Sequence, residues 1–221
     1  MVSGDYKPGR VVVETTDMTV PVAGLPVTVG RRHDSLEKDN VGDFGNGWSL
    51  TIGRPRLEVD PGNNVTITMP DNRRVTFYFQ ATSVTASIAF AWLYSPGYVP
   101  EAGTYGSLTS DGCPLMTVSD GQIVCFLDDS LDYAPTTYKY TDLSGRVFTM
   151  GASGELKSIV DHQGNSLTFT PSGITSGSGV AVAFARDDQV RITSITGPVL
   201  DLGGGRLVYS YAYDTSGNSL R

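Results

Sequence analysis

The sequence has little of the chemistry on which most active sites are built. It holds 2 histidines and 2 cysteines, spaced too widely for the paired ligands of a zinc centre. No Gly-x-Ser-x-Gly elbow occurs, so a serine hydrolase of that type has no nucleophile. His33-Asp34 is the one adjacent pair with acid–base potential, and catalysis would need a nucleophile or substrate pocket beside it. His33 therefore reads as a packed or surface histidine, and His162 as a solvated turn residue. Positive charge is also scarce. Lys+Arg 16 against Asp+Glu 23 gives a net charge of −7 with no basic cluster, which disfavours nucleic acid and anionic lipid surfaces as partners. Long hydrophobic runs are missing too. The most apolar one, Val84 to Tyr94, is about half of the ~20 residues a spanning helix needs, and reads either as a buried strand or as a short helix. The opening Met1-Val2-Ser3-Gly4-Asp5-Tyr6 lacks the charged and apolar regions of a signal peptide. Both ends read as cut from a longer chain.

What the sequence does have is punctuation. Gly 26 and Pro 12 are spread along its whole length, which means many turns and few long helices. The dominant period is two. Trp48, Leu50 and Ile52 alternate with Ser49 and Thr51; Val65, Ile67 and Met69 alternate with Thr66 and Thr68; Val75, Phe77 and Phe79 continue the pattern. Each run has one apolar and one polar face, as a half-buried strand requires. Asp60-Pro61-Gly62-Asn63-Asn64 and Pro70-Asp71-Asn72-Arg73 carry turn chemistry between these runs, so residues 56–79 read as a three-stranded meander. Trp48 begins its strand and is expected to anchor the core or plug the end of the sheet. The expected organisation is an N-terminal β segment with a meander over 1–79, a loop-rich insertion over 80–135, and β-hairpin repeats over 136–221, with one continuous domain as the alternative.

The insertion holds several candidate features. Ser95 to Gly103, with Pro96 and Pro100, reads as a loop. Cys113 and Cys125 flank Ser119-Asp120-Gly121. In a hairpin centred on Ser119 they would face each other across the ladder at roughly 4.5–5.5 Å between Cα atoms, within the span of a disulfide. The alternative is two buried thiols. Trp92, Tyr94, Tyr98 and Tyr105 gather in this stretch as a possible aromatic binding surface for sugars, or as a cluster packing the insertion onto the sheet. Glu101 with Asp128 or Asp129 is the remaining acid pair for a hydrolase. Asp39-Asn40-Val41-Gly42-Asp43 offers oxygen atoms of the kind calcium prefers but not the EF-hand spacing, and so reads as a turn cluster. Asn64-Val65-Thr66 matches a glycosylation sequon. No residue is assigned to catalysis, to a cofactor or to a metal.

From Tyr138 onward a unit recurs: Asp, two polar residues, Gly, one or two polar residues, then alternating apolar ones. Its copies begin at Asp142, Gly151, Asp161, Asp187 and Asp214. Asp accepts hydrogen bonds from turn amides and Gly takes the positive φ of a tight turn. Such units cannot bury an apolar face alone and must stack into a continuous sheet. Tyr209, Tyr211 and Tyr213 fall on one strand face and are expected to form a cross-strand ladder.

These Asp-x-x-Gly-Asn/Arg units, with Tyr213-Asp214 as the clearest copy, resemble the YD repeats of RHS proteins. Arg32-His33-Asp34-Ser35 and Gly42-Asp43-Phe44-Gly45-Asn46-Gly47-Trp48-Ser49 resemble the stretch that often precedes such repeats. The resemblance covers roughly residues 25–79 and 138–221. Val190 stands where the turn Gly is usual, and His33 where Tyr is common. The resemblance implies an all-β strip of antiparallel hairpin repeats that curves or spirals, with little helix. It implies a structural scaffold segment of a large extracellular or cell-surface protein, forming part of a shell around a C-terminal toxin domain. The partners are then adjacent repeats of the same polypeptide, with no nucleic acid, no membrane insertion and no cofactor. A carbohydrate-binding module recognising surface glycans is the alternative.

Overall fold

Short alternating runs bounded by glycine and proline favour strands over helices, and the computed structural model is built that way. It describes residues 9–51, 55–69, 73–84, 92–126, 128–199 and 205–214, the side chains of 128–131 excepted. The chain is all-β with antiparallel sheets. The one helical element among the described residues is the 3-10 turn Ser35–Glu37, capped by Asp34, whose side chain accepts the Leu36 amide. Two compact units are present: residues up to Ile52 joined with those from Phe169 onward, and the continuous stretch Gly53–Thr168. They cut across the sequence segments 1–79, 80–135 and 136–221, because residues before Ile52 find their packing partners near the far end of the chain.

The first unit opens with β1 (Val12–Val20), β2 (Val27–Asp34), β3 (Val41–Gly42), β4 (Gly45–Asn46) and β5 (Trp48–Thr51). β1, β2 and β5 form one sheet in that order, and β3 with β4 makes a separate small ladder. Met18, Val20, Val27, Val29, Phe44 and Leu50 are buried. Trp48 is half-buried rather than central. It pairs with His33 across β2 and β5, and the two rings lie 5.1 Å apart.

The second unit contains β6 (Arg56–Val59), β7 (Val65–Thr68), β8 (Arg74–Ser83), β9 (Tyr94–Pro100), β10 (Ser107–Ser110), β11 (Met116–Ser119), β12 (Gln122–Cys125) and β13 (Asp128–Asp132). β14 (Thr137–Thr141), β15 (Val147–Gly151), β16 (Leu156–Val160) and β17 (Ser166–Thr170) follow, the unit boundary falling inside β17. One sheet runs β13-β12-β11-β9-β8-β7-β6, and in a second β10-β14-β15-β16-β17 are neighbours in that order. The expected meander is β6, β7 and β8, with Leu57, Val65, Ile67, Val75 and Phe77 all buried. Phe77 meets Tyr140 of the second sheet edge-on at 5.8 Å, and burying a side chain of this size contributes about 1.5–3 kcal/mol.

Two expectations for the insertion are corrected here. Ser95 to Pro100 is strand, not loop: β9 pairs with β8 from Tyr94↔Ser83 to Pro100↔Phe77. The prolines fit because the Glu101 amide bonds to the Thr76 carbonyl, which puts odd-numbered residues in the hydrogen-bonding positions toward β8. Pro96 and Pro100 then lack an N–H only on the side facing away from β8, as an antiparallel ladder permits. The β11–β12 hairpin is centred between Asp120 and Gly121 rather than on Ser119, with Ser119 opposite Gln122. Asp120 and Gly121 both have positive φ, 50° and 79°, the two-residue turn that Asp-Gly favours. Of the apolar run Val84–Tyr94, residues 85–91 lie outside the described residues.

The first unit is completed by β18 (Gly173–Ser176), β19 (Ala181–Arg186), β20 (Ile192–Val199) and β21 (Arg206–Ser210), antiparallel neighbours in that order. Ile174, Val182, Phe184, Ile192 and Ile195 are buried along them. Among the described residues β21 ends its sheet, and all five of its residues are exposed.

Candidate functional site

One five-residue turn is used again and again. At Asp60, Asp142, Asp161 and Asp187 the first residue's amide bonds to the fifth residue's carbonyl at 2.9–3.0 Å, and its carbonyl accepts the fourth residue's amide at 2.9–3.1 Å. The fourth residue has positive φ: Asn63 61°, Gly145 75°, Gly164 86° and Val190 65°. This is the three-residue hairpin loop in which a type I turn is followed by a left-handed bulge residue. The aspartate secures it. One carboxylate oxygen accepts the amides of the third and fifth residues, while the other accepts the side chain of Asn64, Arg146, Asn165 or Arg191. Those side-chain bonds are the leading cause holding Asp60, Asp161 and Asp187 below the usual carboxylate range.

Two further turns keep the backbone and change the acid. Ser176 replaces the aspartate in the turn closed by Val180, its hydroxyl accepting the Ser178 amide at 3.1 Å. In the turn Gly151 to Glu155 the first residue has no side chain, and the carboxylate arrives from the fifth. A Cβ on Gly151 would lie 1.8 Å from Glu155 Oε1. The Ser153 hydroxyl donates to Glu155 at 2.6 Å and is the first cause lowering its carboxyl.

In the first unit the Gly-Asp-Phe-Gly-Asn-Gly-Trp stretch sits against the last strands. Asp43 Oδ1 receives Arg186 at 2.7 Å, and the Asp43 carbonyl accepts the Ile192 amide at 2.7 Å. Arg186 also donates to the Pro171 and Val190 carbonyls, at 2.8 and 2.5 Å. Phe44, fully buried, meets Tyr211 edge-on at 4.9 Å. The Arg31 guanidinium lies 6.0, 5.7 and 5.0 Å from the ring centres of Phe44, Trp48 and Tyr211. It donates twice to Asp17, at 2.7 and 3.0 Å, and the Tyr211 hydroxyl donates to the same carboxylate at 2.8 Å. Burial, then the Asp17 bond, raises the Tyr211 hydroxyl well above the ordinary tyrosine range. Arg191 stacks 4.1 Å from the Tyr213 ring, whose hydroxyl donates to the Ile192 carbonyl; burial pushes Tyr213 up to about 12. Tyr211 and Tyr213 are therefore anchors onto Asp17, Ile192 and two arginines rather than rungs of the expected ladder with Tyr209. Asp34, beneath Arg10 and Arg32, also caps the Leu36 amide. The Arg10 hydrogen bond is the main cause that holds its carboxyl at about 2.

The sequence candidates fall differently. Cys113 and Cys125 form a disulfide with Cα atoms 5.8 Å apart. They are not opposed in the ladder, since Cys125 faces Met116 and Cys113 precedes β11. The four aromatics do not make one surface. Tyr98 turns inward against Phe79 and Tyr138, its hydroxyl 3.4 Å from that of Tyr133. Trp92, 78% exposed, precedes β9, and Tyr105, 63% exposed, follows it. A seven-residue strand between them spans roughly 20 Å. Tyr94 opens β9 opposite Ser83 and Met116. Glu101 accepts the Tyr78 hydroxyl at 3.2 Å, while the side chains of Asp128 and Asp129 lie outside the described residues. Asp43 of the 39–43 cluster holds Arg186 instead. The Asn64 amide of the sequon is engaged at both ends, with Asp60 and with the Phe79 amide. Sequence reading missed Asp17, Arg31, Arg186 and the acid role of Glu155. It also missed the turn copies at Asp60 and Ser176, which the one-four-five spacing of Asp/Ser, Gly/Asn and closing residue would have revealed.

Residues 5–77 match the family described as a domain of unknown function, DUF6531. The match takes in all of β1 to β7 and ends at Phe77 in β8. It thus contains Asp17, Arg31, Asp34, Asp43 and Phe44, but not Arg186 or Tyr211. A comparison with curated proteins finds no match.

Proposed function

We propose that the chain is a non-enzymatic scaffold segment at the head of a YD-repeat strip, whose partners are adjacent repeats of its own polypeptide. The observation that carries this reading is the reuse of a single turn geometry at Asp60, Asp142, Gly151, Asp161, Ser176 and Asp187, each closed by the same pair of backbone bonds. A repeat array needs connections that set strand register without outside help, and this turn does so. The first strands of the DUF6531 region then start the strip by packing on β20, where Met18 lies beside Gly197. Three of its acidic side chains are committed to structure, Asp17, Asp34 and Asp43 each holding an arginine, and the Asp60 turn carboxylate holds amides. An extracellular or cell-surface location is supported by the Cys113–Cys125 disulfide, since such bonds persist in oxidising compartments. Among the described residues no helix is long and apolar enough to cross a membrane. Enclosure of a C-terminal toxin domain belongs to the same reading, through the resemblance to RHS proteins.

The experiment is strand addition at β21. Its residues Leu207 and Val208 are exposed, Val208 by 51%, and β21 carries neither lysine nor proline, the residues that usually protect an edge. Light scattering of the chain is expected to show mass rising with concentration, and Val208→Lys to remove the rise. A strictly monomeric chain at all concentrations would count against the scaffold reading.

A further inference from the structure

The first unit is discontinuous in sequence, and among the described residues its two parts meet through polar, aromatic and apolar contacts. β1, β2 and β5 make a three-stranded sheet, and a single layer of strands must bury its apolar face against another element. Its cover comes from strands near the other end of the chain. Tyr211 donates to Asp17 across 194 residues and Arg186 to Asp43 across 143. Around Met18 a Cβ on Gly197 would come within 3.1 Å of Sδ, so even this position is packed closely. Tyr211 supplies the third ring around the Arg31 guanidinium and the third hydrogen bond to Asp17. In the second unit β14 to β17 are instead joined by turns closed within five residues, and the disulfide links residues 12 apart. Contacts between distant residues form late, because the entropy of closing the intervening chain is lost before any contact compensates for it.

We infer that the N-terminal sheet is a late-closing clasp, ordered only when residues 206–213 have been laid down, so that the part synthesised first folds last. Residues 12–34 and 44–51 then form one cooperative element with 192–211, separate from 137–160. Tyr211 is a positioning residue of this clasp: its hydroxyl fixes Asp17, and Asp17 fixes Arg31. The inference stands whether or not the scaffold reading does, since it concerns the order of folding and not the partner.

Hydrogen exchange on the full chain tests it. During refolding from denaturant with the disulfide intact, pulse labelling is expected to show amides of 147–160 protected before those of 12–34, with 12–34 and 206–210 gaining protection together. Protection of 12–34 first, or simultaneously with 147–160, would overturn the inference. This measurement needs no variant. At equilibrium, Tyr211→Phe keeps the ring over Arg31 and removes one hydrogen bond to a charged group. Exchange in 27–34 and 48–51 should then quicken by about tenfold or more, with 147–160 unchanged. Unchanged exchange in 27–34, or equal acceleration in both regions, would sink the proposal.

Discussion

In the second unit β14 to β17 are joined by turns that determine themselves. In the first, β18 to β20 share such turns, but β1, β2 and β5 are held by partners from the opposite end of the chain. The Asp161 turn closes on Asn165 through its own amides, and β16 and β17 are in register as soon as it forms. β1 has no such guarantee, because Asp17 depends on Tyr211 and Phe44 on the same ring. The contrast separates two kinds of specification. Local turn chemistry sets register strand by strand, while a buried aromatic and charged cluster decides whether a distant segment docks at all.

The sharpest way to break the comparison is Phe44→Ala. Loss of a fully buried ring of this size costs about 3–5 kcal/mol, and the loss should fall on the first unit. Urea unfolding followed at Trp48, in a Trp92→Phe background, is expected to shift to much lower denaturant, while exchange in 147–160 holds. Removing the disulfide attacks the other side. Cys113→Ala with Cys125→Ala should cost about 3 kcal/mol, from the entropy of a loop of this length. Exchange in β11 and β12 should rise and that of β1 and β2 should not. A smaller effect of opposite sign is expected at Val190. This β-branched residue is 64% exposed with φ 65°, where sister turns have Gly145 and Gly164. Val190→Gly should raise the stability of the first unit by about 1 kcal/mol, the usual left-handed penalty less glycine's added backbone entropy, read as a higher Tm.

The smallest expected effect is one of pH. Asp34 has its carboxyl lowered from 3.8 to about 2, chiefly by Arg10. A depressed acid contributes stability that is fully present above the unfolded value and lost as pH falls through the folded one. The urea midpoint of the first unit should therefore decline between pH 4 and 2, and Asp34→Asn should flatten that part of the profile. Arg10 is half exposed, so screening by salt weakens the effect.

Features set by neighbours in sequence were legible. Period-two runs gave β6 to β8, and Asp-x-x-Gly gave the turns at Asp142 and Asp161. The cysteine spacing allowed the disulfide, although the hairpin centre was misplaced because Asp120 and Gly121, not Ser119, carry the positive φ. Proline misled at Pro96 and Pro100: which side of a strand a missing N–H faces is decided by the partner β8, not by the residue. The site in the first unit was legible only as its N-terminal half. Phe44 and Asp43 stood out in a glycine-rich motif, while Arg186 lies in ordinary strand sequence and Tyr211 read as a ladder rung. A contact spanning 194 residues leaves no local trace.

The turn from Gly151 to Glu155 has a consequence for how such arrays can change over time. Its negative charge occupies the same place as in the sister turns but hangs from the opposite end of the loop. A change of Gly151 to Asp alone would drive two carboxylates into one space, and loss of Glu155 alone would leave the turn without an acid. The two positions can exchange roles only together, so across relatives they should co-vary as a pair, glycine with glutamate or aspartate with a neutral or basic partner.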